Sequence, residues 1–178
     1  MALDERFSAA PQLHHEPREP LNLRIDNIDP QGELALSLLR DAAAEVRPLY
    51  SSTAEGTATP GNTALGPRDV YVAAMLNDMP VACGSIRELD TTTAEVRRMY
   101  VHRDHRRRHV GRAVLLHLMS EAHRLGYQCL CLETGNKQRG AMALYERLGF
   151  SRVAPFGECM RILRASVMNC GSMSVSRN

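Results

Sequence analysis

Between Val101 and Val110 the 178-residue chain carries a continuous run of charged and imidazole side chains, His102-Arg-Asp-His-Arg-Arg-Arg-His109, and Arg112 follows shortly after. The apolar and β-branched positions from Val96 to Val101 precede the run, and a helical pattern begins near Val110. A strand that ends in a tight basic loop and feeds a helix is suited to hold a phosphate-type anion. The first helical turn leaves backbone N–H groups without intrahelical acceptors, and the macrodipole places partial positive charge there. The guanidinium groups of Arg103, Arg106, Arg107, Arg108 and Arg112 add planar forked donors that match phosphate oxygens.

Other chemistry-bearing residues are less organised. The cysteines are Cys83, Cys129, Cys131, Cys159 and Cys170, an odd number with four in expected strands, which argues against a disulfide framework. Cys129 and Cys131 share one strand face but lack further Cys or His at ligand spacing, so they read as small buried hydrophobes and no metal is expected. Free thiols point to a reducing compartment, the cytoplasm. His14-His15 lies in a Pro-rich charged stretch and reads as part of a solvated tail. The net charge of +2 does not argue for nucleic acid. No apolar run is long enough to span a bilayer, and the N-terminus lacks the apolar core of a secretory signal.

The elements that must position the basic loop can be read in order. Residues 1–20 form an expected flexible tail, 21–164 one domain, and 165–178 a second tail. Leu21 to Ile25 alternates as a strand. Asp29-Pro30 signals a helix start, with a helix over 31–47 that Pro48 ends. Ser51 to Asp69 is a long loop, either disordered or part of a binding site. Strands follow over 69–76, 81–89 and 94–101, joined by turns at Asn77–Pro80 and Asp90–Thr93, so an antiparallel meander is expected. The stripe Val110, Val114, Leu118, Ala122 and Leu125 predicts a helix that Gly126 closes. Gln128 to Glu133 is apolar on both faces, hence a central strand. Met142 to Leu148 lies on a further helix, and 150–153 and 159–163 read as the last strands.

This order resembles the GNAT superfamily of acyl-CoA-dependent N-acetyltransferases. Two segments carry the likeness, which covers about residues 21–164. One is Arg106-Arg-Arg-His-Val-Gly111, where the family has a pyrophosphate loop of the form Gln/Arg-x-x-Gly-x-Gly/Ala. The other is Ala143-Leu-Tyr-Glu-Arg-Leu-Gly-Phe150. In the register set by Tyr100-Val101, His109 stands at the family's first glycine; Arg108-His-Val-Gly-Arg-Ala113 fits the same pattern two residues later. The first register is preferred because the distance from the strand end limits where the loop reaches. A Cβ at His109 either restricts backbone approach to pyrophosphate or comes with an imidazole donor to it, and both readings stand.

The resemblance implies an α/β (α+β) fold: a mixed, mostly antiparallel sheet of six to seven strands with a splayed central pair and about four helices. It implies acetyl-CoA as co-substrate and no metal. The pantetheine arm would pair with backbone near Met99, Tyr100 and Val101, and the pyrophosphate would rest on Arg106, Arg107, Arg108, His109, Val110, Gly111 and Arg112. Tyr145 matches the family's general acid, and Asn136 would hydrogen-bond the pantetheine arm or cap a helix. Glu95, at the start of the splayed strand, is the first candidate base and Glu88 the second; a solvated carboxylate beside Arg97 is the plain alternative for Glu95.

The expected activity is acetyl transfer from acetyl-CoA to a primary amine of a small molecule or peptide. The alternative is a catalytically weak acyl-CoA-binding sensor or partner module. Nucleic-acid binding is disfavoured because no stacking aromatics interleave the basic run. No membrane partner is expected, and a homodimer is an option. The helix and loop over 31–69 and the turn at 154–158 would shape the acceptor site, where Arg97 and Arg98 hint at an acidic acceptor.

Overall fold

The computed structural model describes residues 22–49, 61–135, 138–153 and 162–166. The tails, most of the 51–69 loop, Asn136, the 154–158 turn, Cys159 and Cys170 lie outside the described residues. Seven strands form one sheet: β1 (Leu23–Asn27), β2 (Val70–Leu76), β3 (Met79–Glu88), β4 (Thr93–Val101), β5 (Cys129–Glu133), β6 (Ser151–Val153) and β7 (Ile162–Ser166). Their spatial order is β1-β2-β3-β4-β5-β7-β6. Every neighbouring pair is antiparallel except β4 with β5, which run parallel. Among the described residues three α-helices flank the sheet: α1 (Glu33–Val46), α2 (Val110–Arg124) and α3 (Arg139–Arg147).

The meander follows from turn chemistry. Asn77 and Asp78 both take positive φ, 49° and 61°, which matches the two-residue hairpin turn whose twist suits paired strands. The β3–β4 turn is held by the Asp90 carboxylate, which accepts from the Thr92 and Thr93 backbone N–H groups at 2.8 Å each. Alternation then sorts side chains between two layers. Val72, Ala74, Ile86, Ala94, Val96 and Leu132 meet α2 and α3 on one face; Tyr71, Ala73, Cys83 and Tyr100 meet α1 on the other. α2 buries Val110, Val114, Leu115, Leu118, Met119 and Ala122, and Gly126 follows it at φ 83°.

Several boundaries differ from the sequence expectation. Asp29-Pro30 does not start the helix. Its carboxylate accepts from the Gln31 N–H at 2.9 Å and its carbonyl from the Gly32 N–H at 3.1 Å, so it closes a tight turn and α1 begins three residues later. α1 stops at Val46, just before Pro48 as expected, and Pro48 lies in a short 3-10 turn, Arg47–Leu49. The last strand runs Ile162–Ser166 and pairs with β5 as far as Ser166↔Cys129, so residues 165 and 166, expected in the tail, belong to the sheet.

Two irregularities shape the sheet where it meets the basic loop. First, β4 pairs with β5 only from Thr93↔Cys129 to Val96↔Leu132, although β4 continues to Val101. Second, β3 and β4 slip register between Cys83 and Ser85, and Arg98 takes φ 57°, which is a β-bulge that bends β4 and increases its twist. Gly84 sits opposite the bulge, packed so closely that an added Cβ would lie 2.7 Å from Met99 Sδ, 2.9 Å from Leu118 Cδ1 and 3.0 Å from Val114 Cγ1. Gly84→Ala is therefore expected to lower stability by about 1–3 kcal/mol through overpacking. A urea-denaturation midpoint that does not move would show that the neighbours yield freely.

Candidate functional site

The site grows from the end of β4. Successive strand residues point their N–H and C=O groups to alternate edges. The His102 N–H bonds to the Val81 carbonyl at 2.8 Å, on the β3 side, so the main chain of Val101 faces the gap left by β5. Met99 and Val101 direct their side chains into the α2 layer, whereas Tyr100 is buried against α1.

The chain then makes a 3-10 turn at Arg103–His105 and enters the loop Arg106–His109 before α2. Arg107 and His109 both take left-handed conformations, φ 58° and 62°. His109 occupies the N-cap position, but its side chain makes no capping bond. Positive φ is what a glycine position supplies, so the observed backbone supports the register that puts His109 at the first glycine. Gly111 serves close packing instead: a Cβ there would lie 3.3 Å from Val101 Cγ2 and 3.5 Å from Leu144 Cδ2. The N–H groups of Val110, Gly111 and Arg112 belong to the first turn of α2 and have no acceptor within the helix, while the Ala113 N–H bonds back to the His109 carbonyl at 3.0 Å. Arg107, Arg108, His109 and Arg112 are exposed beside these donors.

Arg106 behaves differently from its neighbours. Its Nε donates to the Val101 carbonyl at 2.9 Å, and its Nη2 is ion-paired to Glu45 near the end of α1. The Tyr100 hydroxyl donates to the other Glu45 oxygen at 2.9 Å. These two donors hold the Glu45 carboxyl below its ordinary range even though burial opposes them. Arg106 thus ties α1, β4 and the loop together rather than pointing freely at a phosphate. Sequence reasoning missed Glu45, which no local pattern connects to a loop 61 residues away.

The chemical residues are distributed over both faces. Glu95 is only 23 % exposed, faces away from the α2 layer, and lies 3.7 Å from Arg97. Glu88 lies on the opposite face. It pairs with Arg68 at 2.8 Å, and Arg68 also bonds the Leu125 carbonyl and stacks on Tyr127, so Glu88 belongs to a structural corner at the far end of α2. Tyr145 on α3 is buried in the α2-side core, its ring 5.8 Å from that of Phe150. Burial alone pushes its hydroxyl up to about 12. The segment after Tyr145 fixes the end of α3: the Phe150 N–H bonds to the Tyr145 carbonyl at 3.1 Å, with Gly149 at φ 87°. Cys83 is a buried free thiol, and no metal-ligating cluster occurs among the described residues. No helix among them is long and apolar enough to cross a membrane.

Comparison with known proteins converges on one family. The model of the acetyltransferase (GNAT) family matches residues 36–150, more than half of the chain. An uncharacterised N-acetyltransferase of Bacillus subtilis, YsnE, is 37% identical over 95 residues, 52% of this chain and 63% of that protein. The match therefore spans under two thirds of that relative's length. Among solved structures, an acyl-CoA N-acyltransferase from Klebsiella pneumoniae aligns with a TM-score of 0.67 at 22% identity, over 82% of this chain and 98% of its own. A GNAT acetyltransferase from Elizabethkingia anophelis, solved with acetyl-CoA bound, aligns at 0.58 with 19% identity, over 82% of this chain and 98% of its own. At those identities the structures establish the fold.

The left-handed His109 carries a testable cost. A non-glycine residue at that φ is strained by about 1 kcal/mol or more. His109→Gly is expected to raise the melting temperature by about 2–4 °C. A lower melting temperature would mean that the imidazole makes a stabilising contact outweighing the strain.

Proposed function

Because the chain belongs to the acetyltransferase (GNAT) family, we propose that it transfers an acetyl group from acetyl-CoA to a primary amine of a small molecule or peptide, by direct attack in a ternary complex. The observation that carries this reading is the gap between β4 and β5, which opens after Val96↔Leu132 beside the first turn of α2. A thioester arm lying in that gap would extend the sheet from the edge of β4, where the Val101 N–H is available, and would bring its diphosphate to the N–H groups of Val110 to Arg112. Arg107, Arg108 and Arg112 would screen the phosphate charge. Arg106 would hold the loop in place through Glu45.

In the reaction, the lone pair of a neutral amine attacks the thioester carbonyl carbon, and the C–S bond breaks as the tetrahedral intermediate collapses. A main-chain N–H of β4 near Met99 to Val101 stabilises the developing oxyanion. The amine must shed a proton, because a free amine near pKa 10 is mostly protonated at neutral pH. Glu95, partly buried on the α1 face, accepts it directly or through water. Tyr145 serves the leaving thiolate. A hydroxyl pushed up to about 12 keeps its proton throughout the physiological range. It is a weaker acid than a thiol of pKa about 8.5, so its main contribution is a hydrogen bond to the sulfur rather than complete proton transfer. Asn136 would steady the pantetheine arm.

Amine-dependent release of free thiol from acetyl-CoA tests the activity. Tyr145→Phe is expected to lower kcat about 10- to 100-fold while leaving the KM for acetyl-CoA within about twofold. An unchanged kcat would remove the role given to Tyr145. Acetyl-CoA binding without turnover across a panel of amines would favour a sensor.

A further inference from the structure

Arg98 differs from the other arginines around this sheet. Its place in the β4 bulge sends the side chain to the α1 face, where Nε donates to Asn62 Oδ1 at 3.2 Å and Nη2 to the Gly61 carbonyl at 2.9 Å. Tyr71 and Cys83, both buried, flank it. Burial pushes the Cys83 thiol up to about 11 and the Tyr71 hydroxyl higher still, so both stay neutral. Arg98 is half-buried, and no carboxylate is bonded to it among the described residues. Arg87 has Asp69, Arg106 has Glu45 and Arg68 has Glu88. The nearby carboxylate, Glu95, sits against Arg97; it attracts Arg98 only at a distance, and less strongly than Arg97 repels it.

A guanidinium partly withdrawn from water, whose direct hydrogen-bond acceptors are all neutral and whose nearby carboxylate is shared with a second cation, is an incomplete ion pair. Its flat fork suits a carboxylate. Glu95 and Arg98 lie three strand residues apart, about 10 Å along β4, and the length of an arginine side chain shortens the distance a ligand must span. We propose that the acceptor carries a carboxylate as well as its amine, and that Arg98, with Arg97 beside it, receives the carboxylate while the amine meets Glu95. The proposal rests on the acetyl-transfer reading and narrows it to amino carboxylates.

The test compares two acceptors that differ only in carboxylate against carboxamide, at equal concentrations of free amine. The enzymes are the unaltered protein, Arg98→Gln and Arg98→Lys, each checked for folding by thermal melting. The unaltered protein is expected to favour the carboxylate at least about tenfold in kcat/KM, mostly through acceptor KM. Arg98→Gln should bring the ratio close to one, and Arg98→Lys should keep part of it, with the KM for acetyl-CoA unchanged in both. Should Arg98→Gln fail to fold, the Lys variant still decides, because a partial loss confined to the carboxylate acceptor is not what a purely structural role gives. Equal rates for the two acceptors, or a variant that slows both alike, overturns the proposal and leaves acetyl transfer standing. Thiol release that no amine stimulates, despite bound acetyl-CoA, overturns both.

Discussion

The parting of β4 from β5 is the constraint on which the rest of this structure depends. A strand edge left unpaired exposes N–H and C=O groups that must find water, a ligand or another chain. Here the two strands share only the pairs from Thr93↔Cys129 to Val96↔Leu132. The bulge at Arg98 re-aims the outer part of β4, and Gly84 on β3 leaves room for Met99 of the bent strand and lets β3 close onto Val114 and Leu118 of α2 without a clash. The opening is thus a product of the sheet's own packing. It requires β3 to stay paired with β4 through the bulge, which Cys83↔Tyr100 and Ala82↔Val101 do.

A second layer of organisation links the two faces of the sheet. The Glu45 carboxylate receives Arg106 from the loop and Tyr100 from β4, while Arg106 also takes the Val101 carbonyl. One partly buried cluster therefore fixes α1, the strand end and the entry to α2 relative to one another. Such charge-assisted bonds are directional, so the cluster sets geometry more than it adds stability. On the reading developed above, it connects the helix that borders the acceptor to the loop that meets the diphosphate. Glu88, a carboxylate equally close to the meander in sequence, has no such part because strand alternation puts it on the other face, against Arg68.

Much of this was legible in the sequence where local chemistry decides. The turn expected over Asn77–Pro80, which the fold narrows to Asn77-Asp78 because Met79 and Pro80 already pair in β3, the apolar stripe of α2 and the glycine that follows it are short-range signals. The positive φ at His109 also agrees with the loop register chosen from the distance to Val101. What escaped was long-range or concealed by a familiar pattern. Asp29-Pro30 has the residue types of a helix cap, but its carbonyl and carboxylate close a turn instead. The Glu45–Arg106 pair joins residues 61 positions apart, with nothing local to mark it. The bulge did leave a trace: Val96-Arg-Arg-Met99 places two polar residues in succession where strict alternation calls for one.

The central claim is that the gap beside β4 and the first turn of α2 together form one seat for an acyl-CoA. Backbone amide NMR during titration with acetyl-CoA tests it most directly. The account predicts saturable shifts at Met99 to Val101 and at Arg107 to Arg112, with the Thr93–Val96 amides that pair with β5 little affected. The absence of shifts up to millimolar acetyl-CoA, or shifts that cluster elsewhere on the sheet, would contradict it.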